Sequence, residues 1–321
     1  MNTNRRPLVS VVTVTYNSAL YVRDALESVL AQTYTDLEYI ICDDCSTDDT
    51  WKIISEYSDT RIKAYRNETN LREYPNRNKA IGLAMGEYLI FIDGDDVIFP
   101  HALGFFVSMM EAFPEAGMAI QKNYLNNVLY PALLEPDETL RNHFYGEKDL
   151  LTSSFASNFF RTALLKKWML KTGYITGDDE IRLRIAAHYP ILFVAGWVTW
   201  PRETPGQASS KVAGGVGLAE AYRYTIDILS EPDLPALHAD LPALSLALRA
   251  DILCMLKKRL AQQVLRLLRK GKLGAVAGFL RSTGSQWRDI GKYVRHQPAF
   301  KDILADHSPS APLKKGFLNK R

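Results

Sequence analysis

The sequence predicts an α/β protein whose mostly parallel sheet is flanked by helices and followed by a helical C-terminal region. Strand-like and helical runs alternate through the first hundred residues, the mark of βαβ units. One run, "EYLIFID" at 87–93, is apolar on both alternations, as strands buried on both faces of a parallel sheet are. Polar residues gather where the runs end, at the carboxyl edge where open α/β sheets bind ligands.

The strands predicted from the N-terminus are "LVSVVTVTY" (8–16), "LEYIICDD" (37–44), "RIKAYR" (61–66) and "EYLIFID" (87–93). The first helix, "ALYVRDALESVLAQ" (19–32), spaces Leu20, Ala25, Leu26, Val29 and Leu30 helically, with Ser18 as its expected N-cap. Helices "DDTWKIISEY" (48–57) and "NRNKAIGLAM" (76–85) follow strands two and three. Beyond residue 100 the pattern predicts a helix at 102–112 and a strand near 117–121. It then predicts an irregular insertion over 123–160, a helix at 177–190 and a strand pair within 191–200. Gly-rich "AGGVG" at 213–217 and prolines between 232 and 242 mark a change of regime. The expected domains are 1–212 and 213–321.

Hydrophobic residues at 47% and charged residues at 23% are ordinary for a globular enzyme. Three cysteines make no disulfide framework, which points to a reducing cytoplasm. Cys42 and Cys45 form a C-x-x-C with no second pair at zinc spacing, so they read as strand-end packing. "MNTNRRPLVSVVTVTYN" lacks the apolar core of a signal peptide, and no run is long enough for a membrane span. A cytoplasmic location is expected, at the inner face of the membrane if the tail binds lipid. Charge is uneven: from Arg249 onward 17 Lys and Arg face 4 Asp and Glu, a net +13, and the remainder carries −10. In "DILCMLKKRLAQQVLRLLRKGKLGAVAGFL" (251–280), Leu253, Leu256, Leu260, Val264, Leu267 and Leu268 form one stripe beside many cations. Two readings stay open: helices packed with a solvated basic face, or a basic helix making peripheral contact with an anionic membrane. No nucleic-acid module is visible.

Chemistry is densest in "YLIFIDGDDVIFP" (88–100), where a buried strand runs into Asp93, Asp95 and Asp96. Unpaired carboxylates are costly to desolvate, so three at a strand's end call for a counter-charge such as a divalent cation. Thr15, Tyr16 and Asn17 end strand one, and Asp43 and Asp44 end strand two, at the same predicted edge.

"VSVVTVTYN", "DDCSTDDT", "NRNKAIGLAMGEYLIFIDGDD" and "GDDEIRLRIA" follow one another over residues 7 to 205 in an order that resembles the inverting glycosyltransferases of family 2. The resemblance implies the GT-A fold and transfer of a sugar from a nucleotide-sugar donor, with a UDP-sugar expected. The acceptor would be a glycan or lipid-linked glycan. It places Thr15 and Tyr16 at the nucleotide, with the Tyr16 ring on the base face and Asp44 on the base edge. Arg77 falls near the base and diphosphate. Asp93, Asp95 and Asp96 match the family's metal motif for Mn²⁺ or Mg²⁺, with Asp95 on ribose or metal. The inverting base lies six residues before an arginine; counting back from Arg184 gives Asp178, with Asp179 the neighbouring alternative and Glu180 at a further acidic position. The chain departs from the family at Cys45, usually Gly, and at Gly177, often Glu. It also lacks a histidine in "WPRETPGQASS" (200–210), leaving Arg202 and Gln207 as polar candidates. His101 and His188 read as exposed or structural. Competing readings are a sugar nucleotidyltransferase, whose Gly-rich N-terminal loop is absent, and a degenerate GT-A domain acting as a binding or assembly partner.

Overall fold

The structure is a computed structural model that describes residues 8–123, 130–145, 150–173, 176–202, 204, 216–231 and 246–282. The expected boundary at 212, Gln207, and the helical tail beyond 282 lie outside the described residues.

Strands β1 (Val9–Thr15), β2 (Leu37–Asp43), β3 (Ile62–Arg66) and β4 (Tyr88–Phe91) are parallel in the order β3-β2-β1-β4. β1 is buried along its whole length although it carries Ser10 and Thr13. Their hydroxyls are satisfied: Ser10 donates to Glu38 Oε1 at 2.6 Å and Thr13 to the Ile92 carbonyl at 2.6 Å. The register sets Thr15 beside Asp43, and the acidic loop begins two residues beyond Phe91, the last residue of β4.

Helices α1 (Val22–Leu30), α2 (Thr50–Ser55) and α3 (Glu73–Leu83) connect these strands. α1 buries Val22, Ala25, Leu26 and Val29, the face its spacing predicts, while Leu20 is exposed. Ser18 does not cap it: the N-cap is Tyr21, and Ser18 contributes its carbonyl to the Tyr21 and Val22 amides. α3 begins three residues earlier than predicted. Pro75 sits in its first turn, where a missing N–H breaks no intrahelical bond. Arg77 therefore lies in the second turn and does not open the helix.

Downstream come β5 (Val97–Ile98), α4 (Ala102–Ala112), β6 (Met118–Gln121), β7 (Ala132–Leu134), α5 (Pro136–Tyr145), β8 (Asn158–Arg161), α6 (Thr162–Trp168), α7 (Gly177–His188), β9 (Ile191–Val194) and β10 (Thr199–Trp200). The main sheet has eight strands, ordered β3-β2-β1-β4-β8-β6-β9-β7, and β10 pairs with β5 apart from it. This corrects the reading of 123–160 as an insertion outside the regular layers. β8 lies inside the sheet, antiparallel to both β4 and β6. Four residues, "NFFR", are too few to show a period, but Phe159 is central to the core. Its ring stacks 5.0 Å from Phe106 and 5.2 Å from Tyr88.

The chain divides into two compact units, one holding the sheet and its helices and the other built on α8 (Val216–Leu229), α9 (Leu246–Arg269) and α10 (Leu273–Ser282). Within the second unit α9 packs on α8 and α10. Its buried stripe is Ile252, Leu256, Leu260, Ala261, Val264 and Leu265; Leu253, Leu267 and Leu268 are only half-buried. The stripe is thus consumed by packing, and Lys258, Arg259, Arg266, Arg269 and Lys270 face solvent. No described helix is long and apolar enough to cross a membrane.

Candidate active site

The carboxyl ends of β1, β2 and β4 meet through backbone contacts. The Asp44 amide donates to the Thr15 carbonyl at 2.8 Å, and the Ile92 amide to the Val12 carbonyl at 2.9 Å. Gly94 lies so close to β1 that a Cβ there would fall 2.7 Å from Thr15 Oγ1, so the acidic loop needs glycine at this point. Thr15 Oγ1 is buried and has no hydrogen-bond partner among the described residues. Beside it Tyr16 is 49% exposed. The following turn is fixed by Asn17, whose side-chain oxygen accepts the Thr47 amide at 2.8 Å. An aromatic ring open to solvent, next to an unpaired hydroxyl, suits a flat heterocycle.

Asp44 is buried and heavily bonded. Oδ1 accepts from Asn67 Nδ2 and the Leu71 amide, and Oδ2 from the Arg72 amide, all at 2.8 Å. It therefore organises the 67–72 loop and leaves the start of α2 to Asp48 and Asp49. Cys45 stands at φ 62°, the left-handed region that favours glycine, which accounts for the family's usual residue there. Cys42 and Cys45 are free thiols, and burial pushes Cys42 up to about 11.

The acidic loop splits into two functions. Asp93 is gripped by Arg77, Nη1 to Oδ1 and Nη2 to Oδ2, both at 2.8 Å. The guanidinium is buried between Phe155 at 4.8 Å and Phe91 at 5.2 Å, and it also reaches Glu73 at 3.3 Å. Two of its donors are thus spent on Asp93, and the resemblance that sets Arg77 near the base and diphosphate is met here by an arginine paired to the acidic loop. Among the described residues the hydrogen-bond partners of Asp95 and Asp96 are neutral: Thr204 Oγ1 donates to Asp95 Oδ2 at 2.8 Å, and the Arg202 amide to Asp96 Oδ1 at 3.0 Å. Burial, with the charges of Asp93 and Asp95 beside it, pushes the Asp96 carboxyl up to about 7. Among the described residues no group of three or more His, Cys, Asp or Glu side chains is arranged to enclose a metal. The donor set nevertheless fits a hard cation, with two carboxylates under-compensated and Asp93 already paired. Phosphate oxygens would complete the coordination. The Arg202 side chain turns to Asp24 at 2.8 Å and stacks over Tyr21 and Trp200.

Asp178 and Asp179 open α7, where the helix dipole favours anions. Asp178 Oδ1 lies 3.1 Å from the Tyr74 hydroxyl and Oδ2 accepts Arg182 Nη2 at 2.9 Å. Asp179 shares that same Arg182 nitrogen. Burial works to raise the Asp178 carboxyl, but Arg182 and the Tyr74 hydrogen bond outweigh it and hold it below the usual carboxylate range. Arg184, from which the base was counted, binds Glu180 at 2.6 Å instead, and Glu180 is fully buried. His188 is buried on the Arg184 carbonyl at 2.8 Å, a structural role. Glu73 on α3 lies within electrostatic reach of both carboxylate centres: it is raised first by burial and then, against the pull of Arg77, by the charges of both Asp93 and Asp178. Sequence reading missed Glu73, Tyr74, Phe155 and Arg182. The four-residue spacing from Asp178 to Arg182 is a legible helical ion pair; the other three need the tertiary fold.

The sequence model of glycosyl transferase family 2 matches residues 10–172. Over 89 residues the chain is 44% identical to UDP-Glc:alpha-D-GlcNAc-diphosphoundecaprenol beta-1,3-glucosyltransferase WfaP of Escherichia coli, a match covering 28% of this chain and 36% of that protein. The chain thus spans little more than a third of that relative's length. Its fold matches that of S. aureus TarS 1-349 in complex with UDP-GlcNAc at TM-score 0.65, with 21% identity, over 93% of this chain and 90% of the other. A mannosyltransferase from Pyrobaculum calidifontis, solved with GDP-Man and Mn2+, matches at TM-score 0.54 with 18% identity, over 94% and 87% of the two chains. Both likenesses establish the GT-A fold.

Proposed function

We propose, from the premise that this chain belongs to glycosyl transferase family 2, that it moves a sugar from a nucleotide-sugar donor to a hydroxyl of a glycan or lipid-linked glycan, with inversion. A UDP-sugar is the donor we favour, in keeping with the UDP-Glc that WfaP's name gives and the UDP-GlcNAc bound to TarS. The observation that carries the reading is the pairing of centres. An ionised, held carboxylate at Asp178 and an under-compensated pair at Asp95 and Asp96 are linked by the first two turns of α3.

In this reading the Tyr16 ring stacks on the base, Asp44 and Thr15 contact the nucleoside, and Arg77 holds Asp93 so that the loop presents Asp95 and Asp96. Mn²⁺ or Mg²⁺ held by those two would supply positive charge to the diphosphate as the leaving group departs. Asp178 takes the proton of the acceptor hydroxyl. The freed oxygen bonds to the anomeric carbon on the face opposite the diphosphate, the bond to the phosphate oxygen breaks, and the nucleoside diphosphate leaves. Because Asp178 lies below the usual carboxylate range, it is ionised at neutral pH and releases the proton readily. Asp179 shares Arg182 with it and is the alternative base.

A panel of nucleotide sugars tests this without knowledge of the acceptor. With the intact chain, hydrolysis of at least one UDP-sugar is expected in Mn²⁺ or Mg²⁺ and its loss in chelator. Equal hydrolysis in both conditions would remove the cation from the scheme, and turnover of none of the panel would remove the donor.

The solvated cations of α9 and the net +13 from Arg249 onward support a peripheral electrostatic contact with an anionic membrane. Binding to phosphatidylglycerol vesicles at low salt, lost by 0.5 M NaCl and absent on phosphatidylcholine, is the expected result. No binding to either vesicle at low salt would end this reading.

A further inference from the structure

We infer that Tyr74 is a positioning residue that aims Asp178, and that Gly177 is glycine so that Tyr74 can do so. The inference rests on the reading of Asp178 as the proton acceptor. Tyr74 lies in the first turn of α3 and is 6% exposed. Its hydroxyl oxygen accepts the Gly177 amide at 2.9 Å and lies 3.1 Å from Asp178 Oδ1. Of these two neighbours the amide can only donate and occupies a lone pair of the phenol, while an ionised carboxylate has only lone pairs to offer, so between them it is Asp178 that accepts from the phenol. Burial, reinforced by the charges of Asp178 and Glu73, keeps the phenol protonated.

Position 177 leaves little room for a side chain. A Cβ there would lie 2.9 Å from the Lys171 carbonyl and 3.2 Å from Tyr74 Cζ. A glutamate, the residue the family resemblance leads one to expect, would press on the Lys171 backbone and crowd the ring out of its present place by a few tenths of an ångström. The departure at Gly177 and the buried tyrosine a hundred residues earlier are one feature. With Oδ2 taken by Arg182, Asp178 is held at both oxygens from two different helices. Each oxygen keeps a second lone pair, and the aim of those lone pairs toward the acceptor hydroxyl is what Tyr74 sets.

Tyr74→Phe removes the hydroxyl and keeps the ring. The expected result is a fall in kcat of about tenfold, the scale of a lost hydrogen bond to a charged group. Donor KM and the Kd for UDP with Mn²⁺ should stay within about twofold, since a positioning role touches only the transition state. In an Asp178→Asn background the same substitution should add nothing, because the side chain that Tyr74 aims no longer accepts a proton. Normal kcat in Tyr74→Phe, or a further tenfold loss on top of Asp178→Asn, overturns the role of Tyr74 while leaving Asp178 in place. Near-normal kcat in Asp178→Asn alone overturns the base, and the inference with it. Gly177→Ala keeps the hydroxyl but moves the ring, so it reads the same device should Tyr74→Phe not fold. It too should lower kcat at constant donor affinity, and unchanged kcat there counts against the inference.

Discussion

Arg77→Leu is expected to destabilise the first compact unit by about 3 kcal/mol, the low end for breaking a buried ion pair. The guanidinium is 5% exposed, clasps both oxygens of Asp93 and lies between two phenylalanine rings. Leucine fills part of the space but leaves the Asp93 carboxylate without its cation beside the Asp95 and Asp96 carboxyls. Asp93 keeps 27% of its side chain in water, which is why the low end applies. Urea unfolding with an unchanged slope and a lowered midpoint is the measurement. A loss below about 1 kcal/mol, the scale of an exposed pair, would show that the grip on Asp93 is not what anchors the acidic loop. Adding UDP and Mn²⁺ should recover less stability in this variant than in the native chain, because a disordered loop binds them less well.

The amino-terminal half of the fold is legible because its strands and helices alternate directly. β1 and β2 are seven residues each and carry β-branched residues, β4 lies within the apolar run 88–92, and α4 falls on its predicted limits. β8 was not legible, since four residues in a Tyr- and Asn-rich stretch give no period and its place beside β4 comes from pairing across the chain. The site divides in the same way. Asp93 to Asp96 and Asp178 announce themselves as charges where charge is costly. What those charges do to one another is tertiary. Arg77 looks like a surface cation until Phe91 and Phe155 close over it, and Asp44 looks free until the 67–72 loop wraps it. The tail's predicted stripe includes Leu253, Leu267 and Leu268, which are only half-buried, and omits the buried Ile252, Ala261 and Leu265, because a helix hydrophobic over a broad arc does not reveal which edge faces its neighbours.

Asp178→Asn tests the central claim most directly, because it separates the proton acceptor from donor binding at one atom. Asparagine keeps the size of the side chain and one oxygen for Tyr74 or Arg182, but it cannot accept a proton. The measurement pairs steady-state turnover of the native chain's preferred nucleotide sugar with calorimetric titration of UDP in Mn²⁺, on native, Asp178→Asn and Asp179→Asn chains. Turnover of Asp178→Asn should fall by about a hundredfold to ten-thousandfold, the usual weight of general base catalysis, with UDP affinity unchanged. Asp179→Asn should lose far less. Turnover within a few-fold of native in Asp178→Asn would contradict the claim, and would pass the role to Asp179 if that variant were the inactive one. Loss of UDP binding in Asp178→Asn would contradict it more deeply, by placing the start of α7 on the donor side of the site.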